Sequence, residues 1–204
     1  VTDVSNAGGR YSKQSGSQGD ECEAKYGYQL VEEWRKSEET WCEGSDSSIK
    51  CYPYHQRHKK LDGRGPDMFC VGINVMLDFS KIEGSISGTG GRAKLTNYLK
   101  FGKGSVSSSC KKTSKWRSSL FMPHHAQQMS TFIEGDTHTS ADKTENTPTY
   151  LLARDEDCEN SFHSTADFTN MHLVSHILNM QDSSSQQVML FDKHMDGPYT
   201  ELIS

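Results

Sequence analysis

The chain has 204 residues, of which 33% are hydrophobic, with a mean hydropathy of −0.75 and a formal net charge of −5. Its interleaved basic and acidic residues are typical of an ordinary solvated surface, and no basic patch indicates a nucleic-acid-binding protein. No window approaches the roughly 18 consecutive apolar residues that a membrane-spanning helix needs. Because the chain opens on Val1 and stops at Ser204, soon after a predicted strand, we expect both ends to be truncated.

The first part of the chain is predicted to form a flexible stem followed by a short helix. Residues 1–20 are rich in Gly and Ser and are typical of a stem or linker. Between Glu23 and Trp41 the apolar residues recur at helical spacing, which predicts a helix. We interpret residues 21–146 as one cysteine-containing region with long loops.

Strand patterns follow the helix. Trp41–Cys42 and Ile49–Cys51 flank a predicted turn at Gly44–Ser48, and Met68–Phe79 predicts a buried strand or pair of strands. Residues 83–145 show little regular pattern apart from 95–101 and 116–122, so we expect loops or disorder there.

The chain contains six cysteines, Cys22, Cys42, Cys51, Cys70, Cys110 and Cys158. None forms a CxxC pair, so a zinc ribbon or thioredoxin-type motif is not indicated. An even number at long spacing fits disulfides formed in an oxidising lumen, while six thiols of a cytosolic protein are the alternative. Spacing alone does not determine the pairing.

Residues 147–204 predict a strand, helix and strand that together form one βαβ unit. The strands are predicted at Pro148–Arg154 and Gln187–Asp192, and the helix runs to about Met180. Asn160 is a good N-cap for this helix. A stripe at three- and four-residue spacing predicts the helix face that packs on the sheet: Phe162, Ala166, Thr169, Leu173, Ile177 and Met180.

His163, Asp167 and Asn170 lie on an adjacent stripe of the same helix. His163 and Asp167 are one turn apart, so the carboxylate could orient the imidazole as a general base in a pocket. The alternative is a structural brace at the start of the helix. In open α/β sheets, ligands bind at the carboxyl ends of strands, which is where this pair is expected.

Other candidate sites carry weaker patterns. Asp155 and Asp157 could chelate a divalent metal ion, and His55 and His58 could form half a zinc site. Both pairs are more typical of solvated loops. Residues 192–197, after the second predicted strand, are also interpreted as a polar loop. We predict no metal site and no resident cofactor.

Two stretches in order resemble glycosyltransferase family 61, which includes EGF-domain-specific O-linked GlcNAc transferases and plant β-1,2-xylosyltransferases. The first stretch is a Cys-x3-Asn pattern followed by Leu-Asp and Ile, carried by Cys70, Asn74, Leu77, Asp78 and Ile82. The second is an Asn-x-Phe-His-x3-Asp pattern carried by Asn160, Phe162, His163 and Asp167.

The resemblance implies a GT-B-like α/β fold, of which this chain would carry the N-terminal, acceptor-side Rossmann-like half with polar irregular insertions. Residues 147–204 would then be the truncated start of the catalytic region. The nucleotide-sugar motif and the membrane anchor expected of the family are not found within the 204 residues. The fragment alone is therefore expected to be inactive.

The implied activity is inverting transfer of GlcNAc or xylose from a UDP-sugar to a glycoprotein or glycan, in the Golgi or endoplasmic reticulum lumen. His163 would be the base, oriented by Asp167, while Asn160 and Asn170 would shape the acceptor site. One alternative is a non-catalytic fragment or glycan-binding remnant of such an enzyme. Another is a cytosolic α/β binding module, which free thiols would favour.

Overall fold

The computed structural model describes residues 27–54, 67–83, 99–117, 129–135, 141–152, 161–180 and 186–190. Within these ranges the elements are, in chain order, α1 (Tyr28–Arg35), β1 (Glu39–Glu43), β2 (Ser48–Tyr54), β3 (Asp67–Ile73), β4 (Met76–Leu77), a 3-10 helix (Phe79–Lys81), β5 (Ile82–Glu83), β6 (Lys100–Phe101), β7 (Val106–Ser108), β8 (Lys111–Lys112), β9 (Ile133–Glu134), β10 (Thr149–Leu152), α2 (Ser161–Ile177) and β11 (Gln187–Leu190). Helices and sheets both occur, which confirms the α/β class in its general sense.

The predicted first helix is shorter than its sequence pattern. It ends at Arg35, and Trp41 lies in β1 rather than in the helix. The hydroxyl of Ser37 donates to the carbonyl of Trp34 at 2.7 Å and helps close the last turn. Trp41 is fully buried in β1, beside the predicted turn, so the helix covers only part of the predicted range 23–41.

An antiparallel sheet in the order β3-β2-β1-β8 forms the largest described layer. The predicted turn between β1 and β2 is confirmed, and the Gly44 N–H donates to the carbonyl of Ser47 at 2.8 Å. The predicted strand pair at 68–79 is confirmed as β3 and β4, although its residues are half-buried or exposed rather than buried.

Two disulfides connect this layer. Cys51 and Cys70 face each other on β2 and β3, and Cys42 of β1 bonds to Cys110 just before β8. The expectation of disulfides is therefore confirmed for four cysteines. Cys22 and Cys158 lie outside the described residues.

The stretch 83–145 contributes more structure than its sequence pattern predicts. It supplies β6 to β9, and β4, β7 and β9 form a second sheet. Phe101, Val106, Cys110 and Phe132 are buried here. Sequence periodicity missed these strands because they are two or three residues long and β7 is largely serine, so no apolar alternation marks them.

The buried side chains form two clusters. The first surrounds Trp41 and the Cys42–Cys110 disulfide and includes Val106 and Phe132. The second joins α1 to the other end of β2 and to α2, with its buried members at Val31, Trp34, Tyr52, Tyr54 and Ile177. Residues on both sides of position 146 thus share the second cluster.

Candidate functional site

The candidate site lies on a parallel crossover. β10 and β11 pair in parallel, with Tyr150 opposite Val188 and Leu152 opposite Leu190, and α2 lies between them in the chain. The predicted βαβ unit is therefore confirmed. Since the chain leaves the carboxyl end of β10 to reach α2, we expect the start of α2 on the carboxyl side of the two strands, which is where open α/β sheets bind ligands.

Three of the four predicted site residues lie in the first three turns of α2. His163 lies in the first turn, Asp167 is half-buried one turn later, and Asn170 is exposed. The side chain of His163 and the whole of Asn160 lie outside the described residues. The hydrogen bond between His163 and Asp167 and the helix cap at Asn160 therefore remain predictions.

An open depression lies on the same half of α2. Its lining is formed by Phe162, Thr165, Ala166, Thr169 and Asn170. These positions share one helix face, since residues three and four apart are neighbours on a helix surface. Of the predicted site residues, Asn170 lines this depression.

The predicted sheet-facing stripe is wrong for the first half of α2. Phe162 is 74% exposed and Thr169 is exposed, whereas Ile177 is 1% exposed. The physical reason is that α1 is too short to cover the whole of α2. Ile177 packs with Val31 and Trp34 of α1, but α1 has only eight residues and α2 has seventeen. At 1.5 Å per residue, α1 is only about 12 Å long and α2 about 26 Å.

Arg35 fixes the far end of α2. Its guanidinium donates to the carbonyls of Ile177 at 2.7 Å and His176 at 2.6 Å, and to the side-chain oxygen of Asn179 at 2.8 Å. A cation at a helix carboxyl end satisfies carbonyls without helical partners and complements the helix dipole. Sequence reasoning missed this contact because a single Arg at the end of a short helix carries no long-range signal.

Tyr150 brings a buried hydroxyl to the inner face of the crossover. Its oxygen is buried and has no hydrogen-bond partner among the described residues. Burial raises the pKa of Tyr150, and the neighbouring Ser175 hydroxyl partly offsets this, although no hydrogen bond of good geometry joins the two. The Ser175 hydroxyl donates instead to the carbonyl of His172 at 2.7 Å.

A carboxylate with a strongly shifted pKa lies before β10, away from the start of α2. The N–H and hydroxyl of Thr147, followed by the side chain of Gln187, lower the pKa of Glu145 to about 2. Glu145 is exposed. Because Thr147 and Gln187 lie at the amino ends of the two strands, this group is at the edge opposite the candidate site.

The first motif of the family resemblance forms a hydrogen-bonded corner. The side-chain amide of Asn74 donates to the carbonyl of Asp46 at 2.5 Å, and the Ser108 hydroxyl donates to the carbonyl of Asn74 at 3.0 Å. Asn74 has a left-handed backbone with φ of 50°. These bonds and the Cys51–Cys70 disulfide give Asn74 and Cys70 of the motif structural roles in this corner.

The weaker candidate sites, at 55–58, 155–157 and 192–197, lie outside the described residues. In the ranges that are described, no three His, Cys, Asp or Glu side chains are grouped to hold a metal ion. Nor does any helix in those ranges have both the length and the apolar character to cross a membrane.

Family models, curated proteins and solved structures yield no match to this chain. The resemblance to glycosyltransferase family 61 therefore rests on the two sequence motifs alone.

Proposed function

We propose that this chain is the acceptor-side part of an inverting glycosyltransferase of family 61 type, with a GT-B-like arrangement. The observation that carries the proposal is the parallel crossover β10-α2-β11, because Phe162, His163 and Asp167 of the Asn-x-Phe-His-x3-Asp motif lie in the first turns of its helix. The two disulfides support a lumenal enzyme, since disulfides persist in oxidising compartments.

Inverting transfer needs a base to take the proton of the acceptor hydroxyl as the sugar–nucleotide bond breaks. His163 is proposed as that base because imidazole titrates near neutral pH. Asp167, one turn along the same helix, would orient the ring. Asn170 and Asn160 would contact the acceptor, and the open depression beside Asn170 offers room for a sugar. The departing nucleotide would be stabilised by a donor site outside these residues.

A glycan-binding module without turnover is the second candidate. It is favoured by the lining of the depression, where the aromatic ring of Phe162 stands with the hydroxyl and amide groups of Thr165 and Asn170. Apolar rings and a few polar groups are what small-molecule sites commonly combine.

The test begins by following the coding sequence through the codon for Ser204. The longest product, expressed in a secretory host, is then assayed with UDP-GlcNAc and UDP-xylose on glycoprotein acceptors. His163→Ala and Asp167→Ala should each lower kcat by about 10²- to 10⁴-fold, the usual contribution of a general base.

His172→Ala is the matched control. His172 is exposed on the same helix and lies nine residues from His163, about half a turn round the helix axis, so it faces away from the proposed site. Unchanged turnover after substitution of both His163 and Asp167 would eliminate the catalytic assignment. Glycan binding with no transfer from either donor would favour the binding module instead.

A further inference from the structure

A short basic segment, residues 111–117, stands out on a chain whose net charge is −5. It carries Lys111, Lys112, Lys115 and Arg117 and contains no acidic residue. All four side chains are exposed. The segment therefore forms a local reversal of the protein's overall charge, which the average composition hides.

The backbone of the basic segment is held in place by the first core cluster. Cys110, directly before it, is buried and bonded to Cys42. The N–H of Thr113 donates to the carbonyl of Trp41 at 2.8 Å, and the Thr113 hydroxyl donates to that of Thr40 at 2.7 Å. A ligand that binds such a pre-ordered segment does not have to order the chain first, which favours affinity.

One of the four cations has a structural role. The Lys112 ammonium lies 4.9 Å from the centre of the Trp116 ring and 5.3 Å from that of Phe132. Trp116 in turn packs on Phe132 with ring centres 4.7 Å apart. Lys112 thus contributes to packing by a cation–π contact, and the other three cations are the ones open to a ligand.

The remaining cations have acidic neighbours but form a single, long ion pair within the described ranges. Lys115 approaches Glu39 at 3.6 Å, with 52% of the lysine side chain exposed. Elsewhere in the described ranges no acidic side chain forms an ion pair with Lys111 or Arg117. The acids nearby are Glu43, which lies opposite Lys111 in the pairing of β1 with β8, Glu39, which accepts from the Trp41 indole at 3.3 Å, and Glu134, which accepts from the Lys112 N–H at 2.9 Å.

We propose that the basic segment is a docking surface for a sulfated polysaccharide. Lys111, Lys115 and Arg117 are exposed cations within seven residues of sequence, which can attract a linear polyanion, and Arg117 can contact two oxygens of one sulfate. The disulfides beside the segment favour an oxidising compartment, where sulfated glycans are abundant polyanions and nucleic acids are not. The proposal does not depend on transferase activity, since it uses neither His163 nor a nucleotide sugar.

Calorimetry gives the Kd of the full chain for a heparin dodecasaccharide at two salt concentrations, about 0.05 M and about 0.15 M. The variant K111Q/K115Q/R117Q should raise the Kd by at least about tenfold at the lower salt and flatten the salt dependence. The matched control K36Q/K103Q/K143Q removes the same charge from exposed lysines elsewhere and should change the Kd by less than about twofold.

Equal weakening by the two triple variants would overturn the proposal, because it would reduce binding to overall charge. Equal affinity for desulfated heparin or for duplex DNA would overturn it as well. Circular dichroism and thermal unfolding of both variants should match the unsubstituted chain, since each replaced side chain is exposed. If the first variant unfolds early, the single variant R117Q, with K143Q as its control, gives the same comparison.

Discussion

Arg35 and Ile177 are joined across 142 positions of the chain: the Nε–H of Arg35 donates to the carbonyl oxygen of Ile177 at 2.7 Å. The same guanidinium reaches His176 and Asn179, so one side chain ties the end of α1 to the end of α2. This link, together with the packing of Ile177, decides which face of the candidate-site helix is buried and which is open.

Arg35→Ala should destabilise the protein by about 1–3 kcal/mol, because the α2 carbonyls lose charged donors in a partly buried site. Arg35→Lys should recover part of the loss, since a single ammonium cannot reach all three acceptors in the same geometry. Urea unfolding followed by circular dichroism measures both. Lys36→Ala, one residue along and exposed, serves as the control. An Arg35→Ala protein as stable as that control would contradict the anchoring role.

The two disulfides should contribute unequally to stability. Cys42 and Cys110 are separated by 68 positions, and Cys51 and Cys70 by 19. By loop-closure entropy alone, replacing the first pair with serine should cost about 4 kcal/mol and the second about 3 kcal/mol. Urea unfolding of the paired serine variants compares them. Peptide mapping without reduction tests the pairing itself, and any other pairing of these four cysteines would refute the fold near β1 and β8.

The hydroxyl groups of two tyrosines offer a comparison. The Tyr52 hydroxyl donates to the Glu38 carboxylate at 2.5 Å, whereas the buried Tyr150 hydroxyl has no partner in the described ranges. Tyr52→Phe should therefore cost about 1–2 kcal/mol, while Tyr150→Phe should be neutral or stabilising, because it removes an unsatisfied polar atom. Thermal unfolding of both variants is the measurement. A larger loss for Tyr150→Phe would show that its hydroxyl has a partner in solution.

The stability of the protein should depend on the protonation of Glu38. Hydrogen bonds from Lys50, then from Tyr52, lower the pKa of Glu38 below its ordinary value of 4.5. A carboxyl group with a lowered folded-state pKa stabilises the fold above the unfolded value, and this contribution is lost as the pH falls through the folded-state pKa. The effect should be modest, since 38% of the Glu38 side chain is exposed and the ion pair is screened.

Unfolding free energies measured from pH 6 down to pH 3 should therefore decline more steeply in the unsubstituted protein than in Glu38→Gln. The glutamine variant keeps the side-chain shape and can still accept from Tyr52. Parallel curves for the two proteins would assign the acid sensitivity to other carboxyl groups. Glu33→Gln, on the exposed side of α1 and paired with Lys36, is a suitable comparison.

Elements with local signals could be predicted from the amino-acid sequence alone. The crossover from Thr149 to Leu190 follows from two β-rich runs around a periodic helix, and the turn at Gly44–Ser48 follows from its glycine and serines between apolar residues. Even the presence of disulfides could be expected from cysteine number and spacing.

Features that depend on residues far apart in the chain could not be predicted from sequence and required the three-dimensional structure. These are the end of α1 before Trp41, the partner of each bonded cysteine, the burial of Ser105, Ser107 and Ser108, and the exposure of Phe162. Helical spacing predicts that Phe162 and Ile177 share a face, but it does not predict how far along this face another element packs. Because α1 covers only the last turns of α2, the same helix face is buried in the core at Ile177 and lines an open depression at Phe162.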